Sequence, residues 1–222
     1  MRLGLAATQN SRFGNLPVTK TGSILIGVWT AWALTIGISA TTQITAKTSG
    51  VYQTAADFEN HRLSFEGDCG SKTHKLELHD VLNKTYIDVT HGSEKHRFAK
   101  SAVFGFRACD GNDYRFAANL EYLILEAKDI YVYAREIPTS QGKGFQITRL
   151  WFFSVGSAGS VLPLTLEQLM RAFPNNLRFH DSLRSAFGGG ENIAQYDATH
   201  MCFRVNQLLV ASAQSKGPSE RK

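Results

Sequence analysis

Four of the seven histidines, His74, His79, His91 and His96, lie close together in the first half of the chain. Imidazole nitrogen is a common ligand of zinc and copper, so such a cluster is a candidate metal site. Side chains alternate along a strand, however, and His74 and His79 would point to opposite faces. The spacing therefore favours exposed polar side chains, and we predict no metal ligand and no cofactor.

A second group of titratable side chains, Tyr196, Asp197 and His200, falls within about one turn of a predicted helix near the carboxyl end. Such a patch can do acid–base work, but polar groups of this kind more often satisfy one another at a helix–sheet contact. The serine segment 156–160 lacks the strand-to-helix elbow of a hydrolase nucleophile. The sequence also has no phosphate loop, dinucleotide fingerprint or His-Glu-x-x-His motif. No catalytic residue is assigned.

The chain has three cysteines. Cys69 and Cys109 both lie beside glycines in turn-like segments, and an exported chain permits a disulfide. A Cys69–Cys109 bridge is expected if the two turns meet at the same end of the sheet, which spacing alone does not fix. Cys202 falls on the last predicted helix and is expected to be a small buried apolar residue.

The amino-terminal region has the pattern of an export signal. Residues 23–38 are sixteen uncharged, mainly apolar residues, preceded by a lysine and followed by small residues. This pattern predicts a signal peptide over residues 1–40, cleaved after Ala40 or, as an alternative, after Thr42. The competing interpretation is an uncleaved anchor formed by residues 23–40. Either way the protein is expected outside the cytoplasm, periplasmic or secreted.

Composition and charge bound the rest of the chain. Residues 1–40 hold three of the 24 basic residues and no acid, which leaves 21 basic against 19 acidic side chains. This near balance argues against a nucleic-acid partner, which needs a basic face. We predict a linker over residues 41–48, a single α+β domain over 49–213 and a disordered tail over 214–222.

The segment from His96 to Val155 contains short apolar and aromatic runs separated by Gly, Asn and Asp, which is typical of hairpin-connected strands. Lys75–Leu78 and Thr85–Thr90 alternate in the same way. Together they predict an antiparallel meander of about seven or eight strands. Tyr122–Leu125 is apolar at every position, which predicts a strand covered on both faces.

The apolar spacing changes from two to three or four after Pro163, so helices are expected to cover the sheet. A threonine followed three residues later by a polar partner marks two helix starts, at Thr54 and Thr165. The predicted helices span Ala55–Asn60, Thr165–Phe173, a cap at Asn175 or Asn176 through to Gly188, and Ile193–Ser212.

Several short motifs are shared with a known family: Ser49–Tyr52 followed by Asp57–Phe58, Asp110–Gly111 followed by Tyr114–Arg115, and the Tyr-Asp-x-x-His pattern of residues 196–200. On these motifs the chain resembles a family of uncharacterised exported bacterial proteins. That family has no established activity, so the resemblance implies export and supplies no catalytic residue.

The aromatic content of the predicted sheet carries the functional expectation. Aromatic-lined sheets are natural sites for apolar ligands or partner surfaces. The aromatic residues concerned are Tyr114, Tyr122, Tyr131, Tyr133 and Trp151. We therefore expect an exported, non-catalytic binding or envelope-associated module, with an envelope protein or an apolar ligand as partner. The alternative is an extracytoplasmic hydrolase, whose sign would be a cleft joining His200 to carboxylates of the sheet.

Overall fold

The described chain is an α+β fold with an antiparallel main sheet and helices at its carboxyl end. The computed structural model describes residues 47–79, 84–141 and 144–214. Its strands, in chain order, are β1 Thr48–Tyr52, β2 Ser64–Asp68, β3 His74–Glu77, β4 Tyr86–His91, β5 Glu94–Ala99, β6 Gly105–Arg107, β7 Asp113–Ala117, β8 Leu120–Glu126, β9 Ile130–Gln141, β10 Gly144–Val155, β11 Leu162–Pro163, β12 Tyr196–Asp197 and β13 Cys202–Phe203. Its helices are α1 Ala55–Glu59, α2 Leu166–Ala172, α3 Leu177–Phe187 and α4 Arg204–Gln214.

The main sheet has eight strands in the order β11-β10-β9-β8-β7-β6-β1-β2. Strands β6 to β11 form a meander, and the β1–β2 hairpin adds to its β6 edge. Strands β3, β4 and β5 form a separate three-stranded sheet. The predicted α+β class, with an antiparallel sheet and carboxy-terminal helices, is confirmed. One detail differs: the first residues of the segment His96–Val155, up to Ala99, belong to β5 and therefore to the small sheet.

Strand pairing defines two faces of the main sheet, because directly paired residues share a face. The pairs Val51–Phe106, Phe106–Tyr114, Tyr114–Leu123 and Leu123–Ala134 run across five strands. We call the face that carries these five residues the front face. The opposite side, the back face, carries the neighbouring residues of each strand.

Two separate structures cover the two ends of the front face. Helices α2, α3 and α4 cover the β9–β10 end, where Val132 and Phe153 are fully buried against Leu169 and Leu183. The small sheet covers the β1–β6–β7 end through Ile87 and other apolar side chains of β4. The front face between these two covers is left open.

The back face is aromatic. Tyr52, Tyr122, Tyr131 and Tyr133 are buried there beneath Phe58 of α1. The same face holds a buried guanidinium: Arg115 donates to the hydroxyl of Tyr133 at 2.8 Å, the hydroxyl of Ser154 at 3.1 Å and the carbonyl of Gly159 at 2.7 Å. The bond to Gly159 fixes the serine segment 156–160 against the sheet.

The predicted helix starts are confirmed where a side chain caps the backbone. Thr54 and Asp57 form a capping box at α1, Thr165 accepts from the backbone N–H of Gln168 at α2, and Asn176 accepts from that of Phe179 at α3. Each cap satisfies a backbone donor that the first helical turn leaves free.

The last predicted helix, Ile193–Ser212, is wrong in its first half. The short strands β12 and β13 pair there, and α4 begins only at Arg204. Met201 adopts a positive φ of 48°, which no helix accepts, and the carboxylate of Asp197 accepts from the backbone N–H groups of Thr199 and His200. Cys202 is therefore on a strand, although it is buried as expected.

Two smaller expectations also change. Strand β1 begins at Thr48, within the predicted linker. Strand β8 is not covered on both faces, because Leu123 lines an open cleft and Leu125 is 37% exposed. The predicted signal peptide with its cleavage after Ala40 or Thr42, the alternative anchor and residues 215–222 lie outside the described residues.

Candidate binding cleft

A cleft of about 650 Å³ opens on the front face between the small sheet and the base of the β9–β10 hairpin. Its size is typical of small-molecule sites. It is lined by Leu78, Lys100, Phe106, Ala108, Asn112, Tyr114, Leu120, Glu121, Leu123, Ala134, Arg135, Glu136 and Arg149.

The floor of the cleft is the row of apolar side chains that crosses four neighbouring strands. Phe106 of β6 and Tyr114 of β7 stack with ring centroids 4.9 Å apart and planes 5° apart. Gly105 permits this close approach, since a Cβ there would lie 1.9 Å from the carbonyl oxygen of Tyr114. Leu123 of β8 and Ala134 of β9 continue the row. The result is a flat surface with two aromatic rings at one end and aliphatic groups at the other.

Ion pairs close the two ends of this floor. Near the small sheet, the ammonium group of Lys100 binds the carboxylate of Glu121, and the lysine is only 2% exposed. Near the hairpin, the guanidinium of Arg149 lies 2.5 Å from the carboxylate of Glu136. These four charges are paired, and the fifth charged lining residue, Arg135, leaves the lining with a formal net charge of +1. The paired charges and the apolar floor suit an uncharged ligand that covers the floor with an apolar face.

Polar groups lie at the aromatic end. Asn112 and the ring of Tyr114 line the cleft there. Burial and the nearby negative charge of Asp110 raise the pKa of the Tyr114 hydroxyl. The phenol therefore stays protonated at neutral pH and can donate a hydrogen bond to a ligand.

The histidines of the sequence cluster do not meet at one site. His74 is buried, contrary to the expectation of exposure, and its Nε2 lies 2.7 Å from the hydroxyl oxygen of Ser49. A serine–histidine pair can activate a nucleophile. Ser49 is 1% exposed, however, and the other ring nitrogen of His74 has no hydrogen-bond partner among the described residues. Within that part of the chain the pair lacks both access to solvent and an orienting acid.

His79 takes part in a charge network on the small sheet. Its Nε2 lies 3.0 Å from the carboxylate of Asp88, and Glu77 is close enough to form a three-residue ligand set. Arg97 and Lys95 already bind the two Asp88 oxygens, and the hydrogen bonds from Arg97 in particular hold the pKa of Asp88 well below its usual range. The Asp88 carboxylate is therefore already neutralised by cations of the chain.

Tyr196, Asp197 and His200 surround a surface turn and not a cleft. Nδ1 of His200 lies 2.8 Å from the carboxylate of Asp197, which also accepts from the side-chain amide of Gln207 on α4. These bonds, that from Gln207 first, lower the pKa of Asp197. The carboxylate tethers the turn to α4, which is the structural role that the sequence favoured.

The two turns that contain Cys69 and Cys109 do meet. A disulfide joins them with a Cα–Cα distance of 5.6 Å. It connects the ends of β2 and β6, the two strands that flank β1 in the main sheet. The bridge therefore fixes the edge of the sheet on which the small sheet packs.

Sequence reasoning missed the cleft itself. Its lining comes from strands β6 to β10, from the segments between them and from Leu78 and Lys100, which follow β3 and β5, so no local pattern identifies it. The available signal is Tyr122–Leu125, whose apolar residues predict cover on both faces of the strand. One side of that strand faces the cleft.

No protein-family model, no curated protein and no solved structure matches the chain. Among the described residues, no helix is long and apolar enough to cross a membrane.

Proposed function

We propose that this protein is an exported, non-catalytic binding module whose cleft holds an uncharged, mainly apolar ligand. The observation that carries the proposal is the apolar floor of the cleft, where Tyr114 and Leu123 stay partly exposed beside the buried Phe106 and Ala134. Exposure of an apolar surface to water is unfavourable, and a ligand that covers the surface removes this cost.

The lining also favours binding over catalysis. Among the described residues that line the cleft there is no histidine, serine or cysteine. The carboxylates of Glu121 and Glu136 are held by Lys100 and Arg149. A hydrolase would need a nucleophile and a base within reach of the same bound atom.

Export is the second part of the proposal. The Cys69–Cys109 disulfide supports it, because such bonds form and persist in oxidising compartments. The apolar amino-terminal segment and the resemblance to exported bacterial proteins point the same way. Sequencing the amino terminus of the protein from fractionated cells tests this part. A chain that begins near Thr41 in the periplasm or medium agrees with it, whereas an intact Met1 on cytosolic protein contradicts it.

Titration with Nile red, an uncharged apolar dye, tests the binding proposal. We expect saturable binding of one dye per chain, with a blue shift of the emission. Leu123→Lys, which places a charge on the cleft floor, should weaken binding by at least about tenfold because the apolar contact is lost and the ammonium must stay hydrated. Leu125→Lys is the matched control: it changes the same residue type on the same strand, and Leu125 does not line the cleft.

Two outcomes would remove the proposal. One is dye binding that does not saturate, which indicates general surface hydrophobicity. The other is an equal effect of both lysine substitutions, which would place the dye elsewhere on the protein.

A further inference from the structure

The outer half of the β9–β10 hairpin is a two-stranded ribbon with a free edge. Strand β11 pairs with β10 only at Phe152 and Phe153, and no other described strand pairs with that edge. The segment 144–150 therefore extends past its neighbour. Phe145 on this segment is 87% exposed and Ile147 is 68% exposed. A long exposed edge with apolar side chains is a template for pairing with another strand.

Hydrogen bonds closer to the body show which backbone groups the edge presents. The N–H of Leu164 donates to the carbonyl oxygen of Trp151 at 2.9 Å, so the backbone groups of Trp151 point away from β9. In an antiparallel ladder, every second residue points to the same side. The N–H and C=O groups of Phe145, Ile147 and Arg149 therefore also point away from β9, toward solvent.

We propose that this edge pairs antiparallel with the same edge of a second copy of the chain, about a twofold axis at Ile147. In this register Ile147 lies opposite Ile147 of the partner subunit, and Phe145 lies opposite the partner subunit's Arg149. The twofold axis also sets Arg149 opposite the partner subunit's Phe145. In each of these three pairs the two residues exchange both of their backbone hydrogen bonds. The dimer thus satisfies every outward N–H and C=O group of Phe145, Ile147 and Arg149.

The charge pattern of the edge explains why the partner is a second copy. Segment 144–150 contains a single charged residue, Arg149, which is ion-paired within its own chain to Glu136. The register centred on Ile147 places the partner subunit's Phe145 beside the apolar stem of Arg149, whose guanidinium stays on Glu136, and keeps the two arginines at opposite ends of the ladder. No like charges are adjacent, which would be destabilising. The edge is therefore complementary to itself.

The interface is small. Pairing of two short edges buries less than the roughly 1,200 Å² that marks a stable interface, so dimerisation should be reversible and depend on concentration. It uses the edge of β10 and not the floor of the cleft, and Arg149 is the one cleft-lining residue on the paired segment 144–150.

Sedimentation velocity tests the proposal on protein purified from the cell fraction in which it accumulates, from low micromolar to near-millimolar concentration. The wild type should show a reversible monomer–dimer equilibrium. Ile147→Lys sets two ammonium groups directly opposite each other across the axis and should raise the dimer dissociation constant by at least about tenfold. Gln146→Lys adds the same charge one residue earlier, on the opposite face of the strand, where it lies opposite the partner subunit's Thr148. It should change the dimer dissociation constant by less than about threefold.

A charge exchange makes the test specific for this register. Ile147→Glu alone should also be monomeric, but an equimolar mixture of Ile147→Glu and Ile147→Lys should form a heterodimer. Circular dichroism of each variant checks that the sheet is intact. A wild type that stays monomeric over the whole range overturns the proposal, as do larger oligomers without a dimer, equal effects of both lysine variants, or no recovery on mixing.

Discussion

The inner and outer halves of the β9–β10 hairpin both carry aromatic side chains on the front face but have opposite surroundings. In the inner half, Phe153 is fully buried under helices α2 to α4. In the outer half, Phe145 occupies the same face of the same strand and is 87% exposed. Alternation therefore determines which side chains share a face, and the elements that follow in the chain determine which of those side chains are buried.

Three regions of the front face differ in the same way in their exposure to solvent. The face is covered under the helices, partly exposed at the cleft and fully exposed on the outer ribbon. A closed surface contributes stability, a half-open one suits a ligand, and an open strand edge suits another strand. The following predictions test whether these three regions differ as described.

The largest difference is expected from a matched pair of truncations on β10. Phe153→Ala should lower the free energy of unfolding by about 3–5 kcal/mol, because it leaves a cavity beneath the helices. Phe145→Ala should change it by less than about 0.5 kcal/mol, because the ring is surrounded by solvent. Denaturant unfolding at a concentration that keeps the protein monomeric measures both. Similar losses for the two variants would contradict the contrast between the halves.

Removal of the disulfide should have the next largest effect. The bridge closes a loop of 40 residues. Replacing Cys69 and Cys109 together by serine should lower the free energy of unfolding by about 2–4 kcal/mol, mainly by freeing the unfolded chain. Thermal unfolding with and without reductant measures this, and reductant should affect only the wild type. Equal sensitivity of the serine variant to reductant would show that the bridge is not the cause.

Asn206 tests how the helix region is attached to the inner half. Its side chain accepts from the N–H of Ile130 at 2.9 Å and donates to the carbonyl of Ile130 at 2.8 Å and to Glu126 at 2.7 Å. Asn206→Ala removes these hydrogen bonds from buried polar groups and should lower the free energy of unfolding by about 1–3 kcal/mol. Gln207→Ala is the control, since Gln207 is next in sequence and its side chain makes one hydrogen bond within the described part of the chain, to Asp197. An equal loss of unfolding free energy in Gln207→Ala would contradict the special role of Asn206.

The smallest predicted effect is a pH dependence of the free energy of unfolding, which arises from His74 at the edge where the small sheet packs. Burial, together with the neighbouring His91, lowers the pKa of His74. The unfolded chain, with a histidine pKa near 6.5, therefore binds protons more readily than the folded one. The stability that the neutral, buried His74 contributes is therefore complete above about pH 6.5. It is lost as the pH falls toward the lower pKa of the folded state.

Unfolding measured across this range should show a weaker pH dependence in His74→Gln than in the wild type. His61→Asn, at an exposed position with a positive φ that asparagine tolerates, is the control. If His74→Gln retains the full pH dependence of the wild type, another group is responsible.

Local patterns in the sequence predicted a large part of the fold. Residues such as Thr54, Thr165 and Asn176 set the helix starts through their own side chains, so each is visible in a few residues. The alternation of Ile87 and Val89 likewise predicted a strand with one buried face, and both are fully buried. These features depend on neighbours in the chain.

The errors concern features that depend on distant contacts. The spacing of apolar residues after Ile193 fits a helix as well as it fits the strand pair that forms, and the Asp197 turn decides between them. The cleft needs the small sheet at one end of the front face and the hairpin at the other. Leu78, Leu123 and Arg149 meet there only after folding, so their spacing carries no signal.

The central claim is that ligand binding belongs to the cleft and not to the exposed ribbon. Methyl chemical shifts of leucine- and isoleucine-labelled protein, followed during titration with Nile red, distinguish the two directly. We expect saturable shifts at Leu78, Leu120 and Leu123, which line the cleft, and none at Ile147. Shifts confined to Ile147, or shifts spread over the whole protein without saturation, would contradict the claim.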